Sequence, residues 1–286
     1  MPKLTLPSDQ KLIPITALFP FLLIAFGLAW SILALFIFLP EFMTSTFGNL
    51  TGQHPLFFLC VYSPAIAAFS IIYYFRGLNG LAMFLSKFFR WRCSAGWYLF
   101  IVVGVPLVFY AGAFLKGSLS ENFYPFDSIP DLFIALVLSA IKGPIEEFGW
   151  RGFALPLMQR NFTPFRASLI LGTIWGVWHS PAFLLSGTQQ SNWSFAPFLL
   201  GCIAISIIAT ALFNSSRGSI FLAAFLHFML MNPIFPDAEP FDSYLLALIA
   251  VPIIWFNRKM MFTGVGSVVE IVPSTGNTHR PASTSV

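Results

Sequence analysis

Leu132-Phe-Ile-Ala-Leu-Val-Leu-Ser-Ala-Ile-Lys142-Gly-Pro-Ile-Glu146-Glu147-Phe-Gly-Trp-Arg151 runs from ten uncharged residues straight into a knot of charge. Two adjacent glutamates stand in it, and an arginine follows four residues after the second. Only 9% of the chain is charged, so three charges in six residues, joined to an apolar run of near-membrane length, call for a reason. An ionisable group at membrane depth is expensive, and by default it marks function.

The rest of the composition agrees with a lipid setting. The chain is 57% hydrophobic with 35 phenylalanines and a mean hydropathy of +0.80. A soluble domain is roughly 45–50% apolar and about 25% charged. The net charge of +4 does not point to nucleic acid, because the basic residues sit in short clusters between apolar runs. Cys60, Cys93 and Cys202 form no CxxC or zinc-ribbon spacing, which argues against a disulfide framework or a cysteine metal site.

Eight apolar runs can be read along the chain, at residues 14–39, 55–75, 97–115, 132–151, 168–186, 195–213, 219–231 and 244–256. The first is longer than a signal-peptide core and is read as a retained span. The last two are short for a helix that crosses a bilayer. Residues 81–89 read as a short interfacial amphipathic helix, and Pro164 reads as a break. All but two of the 15 basic residues, Lys116 and Lys142, fall on one side of this layout. The acidic loops with Glu41, with Glu121, Asp127 and Asp131, and with Asp237, Glu239 and Asp242 fall on the other. By the positive-inside rule both termini are expected in the cytoplasm. The expected fold is therefore all-α: a polytopic membrane protein of about eight transmembrane helices. Residues 1–13 form a cytoplasmic N-terminus, 14–256 one helical domain, and 257–286 a disordered cytoplasmic tail.

At membrane depth the ionisable groups are Lys142, Glu146, Glu147, Arg151, His179 and His227. At about 1.5 Å of rise per residue, Glu146 lies roughly 7 Å from the level of Arg151, and His227 roughly 15 Å from that of Arg217. His179 lies roughly 20 Å from Arg166 on the same scale. One cavity open to the cytoplasm can hold all three if the helices tilt. Glu147 and Arg151 are i,i+4 and pair on one helix face. Glu146 points about 100° away from them, toward another neighbour. Trp175 and His179 are also i,i+4, which sets an indole beside an imidazole. Glutamate and histidine together can activate a water, and a second histidine can stabilise an oxyanion. Glu146, His179 and His227 could equally bind a metal such as Zn2+. A salt bridge tying helices together would explain the glutamates and arginine alone; the two histidines downstream are what favour chemistry.

Glu146-Glu147-xxx-Arg151 resembles the EExxxR motif of the CAAX protease and bacteriocin-processing (CPBP) family of intramembrane proteases, whose best-known members are type II CaaX prenyl endopeptidases. Trp175-xxx-His179 is similar to the family's aromatic-xxx-His motif, and His227 to the histidine of its His-xxx-Asn motif. The resemblance covers about residues 130–235. It implies that Glu146 and His179 activate the attacking water, that His227 and an asparagine stabilise the oxyanion, and that Glu147 and Arg151 are structural or orient substrate. The family position for the asparagine, four residues after the histidine, holds Met231 here; Asn232 comes one residue late, about 100° further round the helix. It reaches the site only if the helix unwinds before Pro233. The resemblance leaves both a metal-dependent and a glutamate-type mechanism open.

The reading that follows is an intramembrane endopeptidase cutting a peptide bond near the cytoplasmic face, of the CaaX or the bacteriocin-processing type. Its substrate would be a peptide or protein, including lipid-modified ones. Its setting would be the lipid bilayer, as the inner membrane of a prokaryote or the endoplasmic reticulum of a eukaryote. Two other classes compete: a non-catalytic scaffold or bacteriocin-immunity protein, and an ion or proton-coupled transporter. No sequence repeat of the kind transporters carry is visible.

Overall fold

The structure, a computed structural model, describes residues 12–119 and 126–273. The N-terminal residues with Lys3 and Lys11, the loop acid Glu121 and the tail from 274 lie outside the described residues. Among those described, every regular element is helical.

α1 (Leu18–Phe38) follows a 3-10 turn and stops before Pro40, as expected where a proline disfavours helix in the residue before it. α2 (Pro40–Phe47) is short. α3 (Pro55–Leu85) starts on a His54 side chain that accepts from the Leu56 N–H, with Pro55 in the first helical position, where its missing N–H does no harm. It bends at Gly77, whose φ is 62°. The separate interfacial helix expected at 81–89 is instead the far arm of this bent helix, ending in a 3-10 turn. α4 (Ala95–Leu99) and α5 (Val105–Lys116) are joined through a π-helical turn.

The motif-bearing segment is not one helix. α6 (Ile129–Lys142) gives way to a 3-10 turn at Gly143–Ile145, then α7 (Glu146–Gly149), a π-helical turn at Trp150–Ala154, and α8 (Leu155–Met158). α9 (Pro164–Trp178) begins at the proline expected to interrupt it: Thr163 caps the Arg166 N–H and Pro164 takes the first helical position. α10 (Phe195–Ser215), α11 (Ile220–Leu230) and α12 (Phe241–Phe256) complete the bundle.

All eight apolar runs thus contain helix. Four stretches are long and apolar enough to cross a membrane: Ile15–Phe38, Pro55–Phe89, Ala95–Lys116 and Phe195–Ser215. With the shorter apolar helices α11 and α12 they make a polytopic all-α membrane protein. The outer surface carries bare phenylalanines such as Phe19 and Phe114, as suits a solvent of lipid tails.

Close packing at the centre depends on glycine. A Cβ on Gly149 would sit 2.5 Å from the Pro64 backbone, so α7 can press onto α3 only without a side chain there. Gly172 and Gly176 bring α9 against Ile203, Cys202 and Leu199 of α10 in the same way. Small residues at helix contacts are the usual means of tight packing in membranes.

The segment after α12 departs from the expected disordered tail. α13 (Arg258–Thr263) is a further helix, and residues 264–273 lie as a strap on the bundle, with Ile271 and Val272 buried. Gln159 donates to the Val268 carbonyl, Asn214 accepts from the Val268 N–H, and Arg160 donates to the Val269 carbonyl. The Gly/Ser/Thr composition concealed this docking because most of it runs through the strap's backbone.

Candidate active site

Glu146, Glu147 and Arg151 are all buried, at 3%, 2% and 0% exposure. The 3-10 turn before α7 and the π turn after it set how these side chains fan out. Short π segments inside helices recur at functional sites. Glu147 turns toward α11: its Oε1 accepts from Arg151 Nη1 at 2.9 Å and from His227 Nδ1 at 2.7 Å. One carboxylate oxygen thus serves an arginine on its own segment and a histidine from another helix.

Glu146 turns the other way. Its Oε2 accepts from Trp175 Nε1 at 2.9 Å and from Trp150 Nε1 at 3.3 Å. Both partners are neutral, so its charge is stabilised by donors without being tied up in an ion pair. The two glutamates therefore have separate partners, as the helical offset predicts.

Trp175 is the hub. Its ring lies 5.4 Å from His179 and 5.5 Å from His227, centroid to centroid, both edge to face. The Arg151 guanidinium sits 4.8 Å from its centre, a cation–π distance. One indole thus touches four of the residues singled out by sequence: Glu146, Arg151, His179 and His227. His179 closes α9. Its Nδ1 bonds the Trp175 carbonyl at 2.8 Å; a carbonyl only accepts, so Nδ1 carries a proton, and in the neutral ring Nε2 is the acceptor.

Gly143 makes the α7–α11 meeting possible. A Cβ there would fall 2.1 Å from Met231 Sδ and 2.8 Å from His227 Nε2. The sequence reading passed over it; the Gly-Pro pair directly before the glutamates was the available signal for a tight turn. It also used Trp175 only as a neighbour of His179, and missed Trp150, although Trp150 is i+4 from Glu146.

Asn232 is the expected site residue that is not brought in. α11 ends at Leu230, and the side chain of Asn232 turns to Met229 and accepts from the Ile234 N–H. No described contact joins it to the glutamates or histidines. Met231 takes the inward place at the Gly143 turn, as the one-residue shift implies.

For a metal, the donor types are suitable but the arrangement is not. Among the described residues no three His, Cys, Asp or Glu side chains are grouped so as to hold an ion. Glu146, His179 and His227 as placed are not a ligand set. Arg151 Nε and Nη2 and Glu147 Oε2 are buried without a hydrogen-bond partner among the described residues.

The candidate residues thus lie around one indole, on three segments in the order Glu-Glu-Arg, His, His. Residues 128–232 match the family model of the Rce1-like type II CAAX prenyl endopeptidases. The suspected likeness to the CAAX endopeptidases is thereby shown. The match ends at Asn232 and takes in every candidate site residue. The chain is also similar to the CAAX prenyl protease 2 of Methanococcus maripaludis, at 29% identity over 180 residues, which are 59% of this chain and 64% of the relative. The matched stretch thus covers less than two thirds of that CAAX protease.

Proposed function

We propose that the chain is an intramembrane endopeptidase of the CAAX type, acting on a peptide or protein with a lipid-modified end. The likeness to the Rce1-like endopeptidases supports the reaction class. The observation that carries the mechanism is the division of labour between the glutamates: Glu147 is committed to Arg151 and His227, whereas Glu146 is held only by two neutral indoles.

In this mechanism a water lies between Glu146 and Nε2 of His179. Its oxygen attacks the scissile carbonyl carbon while Glu146, using the oxygen the indoles leave, takes its proton. The carbonyl oxygen becomes an oxyanion, which His227 meets through Nε2 when both ring nitrogens carry protons. The carbon–nitrogen bond then breaks and the proton on Glu146 passes to the leaving amine. Glu147 orients His227 by its bond to Nδ1, and the buried Arg151 holds Glu147 in place. No step is routed through a metal. Orientation in the membrane follows the positive-inside reading, with both termini cytoplasmic and the cut near that face.

A second reading has one observation in its favour. Met231 stands at the inward position and Asn232 is turned away, which removes a donor from the oxyanion side and suits a non-hydrolytic scaffold or immunity protein of the CPBP family. Turnover of quenched fluorescent peptides, farnesylated and plain, separates the two. The proposal expects cleavage by wild type and a fall of at least about 100-fold in Glu146→Gln and in His179→Ala. Folded wild type without turnover on either peptide set would overturn the protease reading. A parallel chelator arm tests metal dependence: unchanged turnover supports the metal-free scheme, and loss restored by Zn2+ would replace it.

A further inference from the structure

A second charged region lies away from the glutamates, where the docked strap meets the turns after α3 and α10. A cavity of about 280 Å3 there is lined by Lys87, Arg90, Arg217 and the strap residues Ser267, Val268, Val269, Glu270 and Pro273. Three cations face one acid, and none of the three forms an ion pair with any described carboxylate.

The cations are held there by unusual means. Lys87 is 1% exposed; its Nζ donates to the carbonyls of Gly152, Glu270 and Ile271, each at 3.4 Å, and lies over the rings of Phe84 and Phe213. Arg90 spends Nη1 on the Arg217 carbonyl at 2.8 Å, which fixes the turn and leaves its other N–H groups for a ligand. Arg217 has φ 55°, a left-handed conformation that costs an ordinary L-residue about 1–2 kcal/mol. Glycine would take that position more cheaply, so an exposed arginine there is retained for its side chain.

The flanks point to the kind of anion. Phe89 and Trp91, on either side of Arg90, are 78% and 62% exposed. Bare aromatics beside arginine belong to the membrane–water interface. Basic pockets at the cytoplasmic ends of helices are suited to anionic lipid headgroups. We propose that this cavity binds the phosphate of an anionic phospholipid, with Arg217 and Arg90 as its donors and the buried Lys87 as the floor beneath them. Bidentate guanidinium–phosphate contact is the chemistry arginine performs best. Lys87 also bonds the Gly152 carbonyl, in the turn next to Arg151, so an occupied site braces the strap against the glutamate-bearing segment. The proposal stands whether or not the chain is a protease.

The test is native mass spectrometry of the full chain in non-ionic detergent, titrated with dioleoyl-phosphatidylglycerol or dioleoyl-phosphatidylcholine. A melting-temperature arm with inorganic phosphate runs beside it. Wild type should retain one phosphatidylglycerol at roughly tenfold lower concentration than phosphatidylcholine, which brings the same phosphate with a choline cation that the arginines repel. That preference should vanish in Arg217→Gly and Arg90→Gln and survive in Arg217→Lys. Arg217→Gly relaxes the backbone, so its loss of lipid is not a loss of fold. Equal retention of the two lipids, or a preference unchanged by Arg217→Gly, would overturn the site. A melting shift with phosphate that Arg217→Gly abolishes, without any lipid preference, would overturn the lipid and leave a soluble phosphate as the ligand.

Discussion

Glu147 and Glu239 are both buried carboxyls, one between α7 and α11, the other in the loop leading into α12. Glu147 is placed between two basic side chains, Arg151 and His227. Glu239 has only the Ser243 hydroxyl as an uncharged donor, with Asp242 and Asp237 close by. Burial, and then the hydrogen bond and charge of Asp242, push the Glu239 carboxyl up to about 8. The same side chain is therefore ringed by basic groups in one region and by carboxyls in the other. What decides is the sign of the neighbours, since both sites are dry.

If that contrast is right, one substitution has opposite outcomes in the two places. Glu147→Gln strands the Arg151 charge in the core, and breaking a buried pair in this way costs about 3–5 kcal/mol. Thermal unfolding in detergent should show a sharp loss of stability or no folded protein at all. Glu147→Gln with wild-type stability would mean that Arg151 has another partner, and the contrast would fail.

Gly143→Ala probes how closely α7 and α11 approach. His227 and Met231 must move, and displacing a catalytic group by about 1 Å can cost about 100-fold. On the proposed mechanism the loss is expected in kcat with KM little changed, because the turn touches His227. A further sharpening compares the two indoles on Glu146. Trp175→Phe removes the 2.9 Å bond and Trp150→Phe the 3.3 Å bond, so turnover should fall further in the first, by roughly tenfold or more. Equal effects would mean that the rings act by packing alone.

The sequence is most legible where spacing and charge are local. Glu147 with Arg151, and the opposite turn of Glu146, follow from the 3.6-residue period, and eight apolar runs locate the helices. What it hides is contact over long separations. Trp175 reaches Glu146 across 29 residues and His227 reaches Glu147 across 80, and no local pattern reports either. Gly143, Gly149 and the docked strap were missed for a related reason. Their role is set by which backbone lies opposite, and composition reads glycine, serine and threonine as loop. The break of the motif segment into α6, two tight turns, α7 and α8 was partly visible in Gly143-Pro144, but the π turn at Trp150 has no sequence mark.

At neutral pH and below the Glu239 effect is the smallest, and it has the clearest sign. The Glu239 carboxyl titrates near 8 in the folded protein and near 4.3 in an unfolded chain. Between those values the folded state holds a proton that the unfolded state has released, so stability falls as pH rises. The contribution is complete below about pH 4.3 and gone above about pH 8. Glu239→Gln keeps the neutral shape and removes the titration. Its melting temperature should match wild type near pH 4, exceed it at pH 8.5, and show a flatter profile between. A single glutamine thus stabilises here at alkaline pH, whereas the same change at 147 strands an arginine. If Glu239→Gln instead lowers the melting temperature at pH 8.5, the carboxylate has a cationic partner, and the two regions bury charge by the same rule after all.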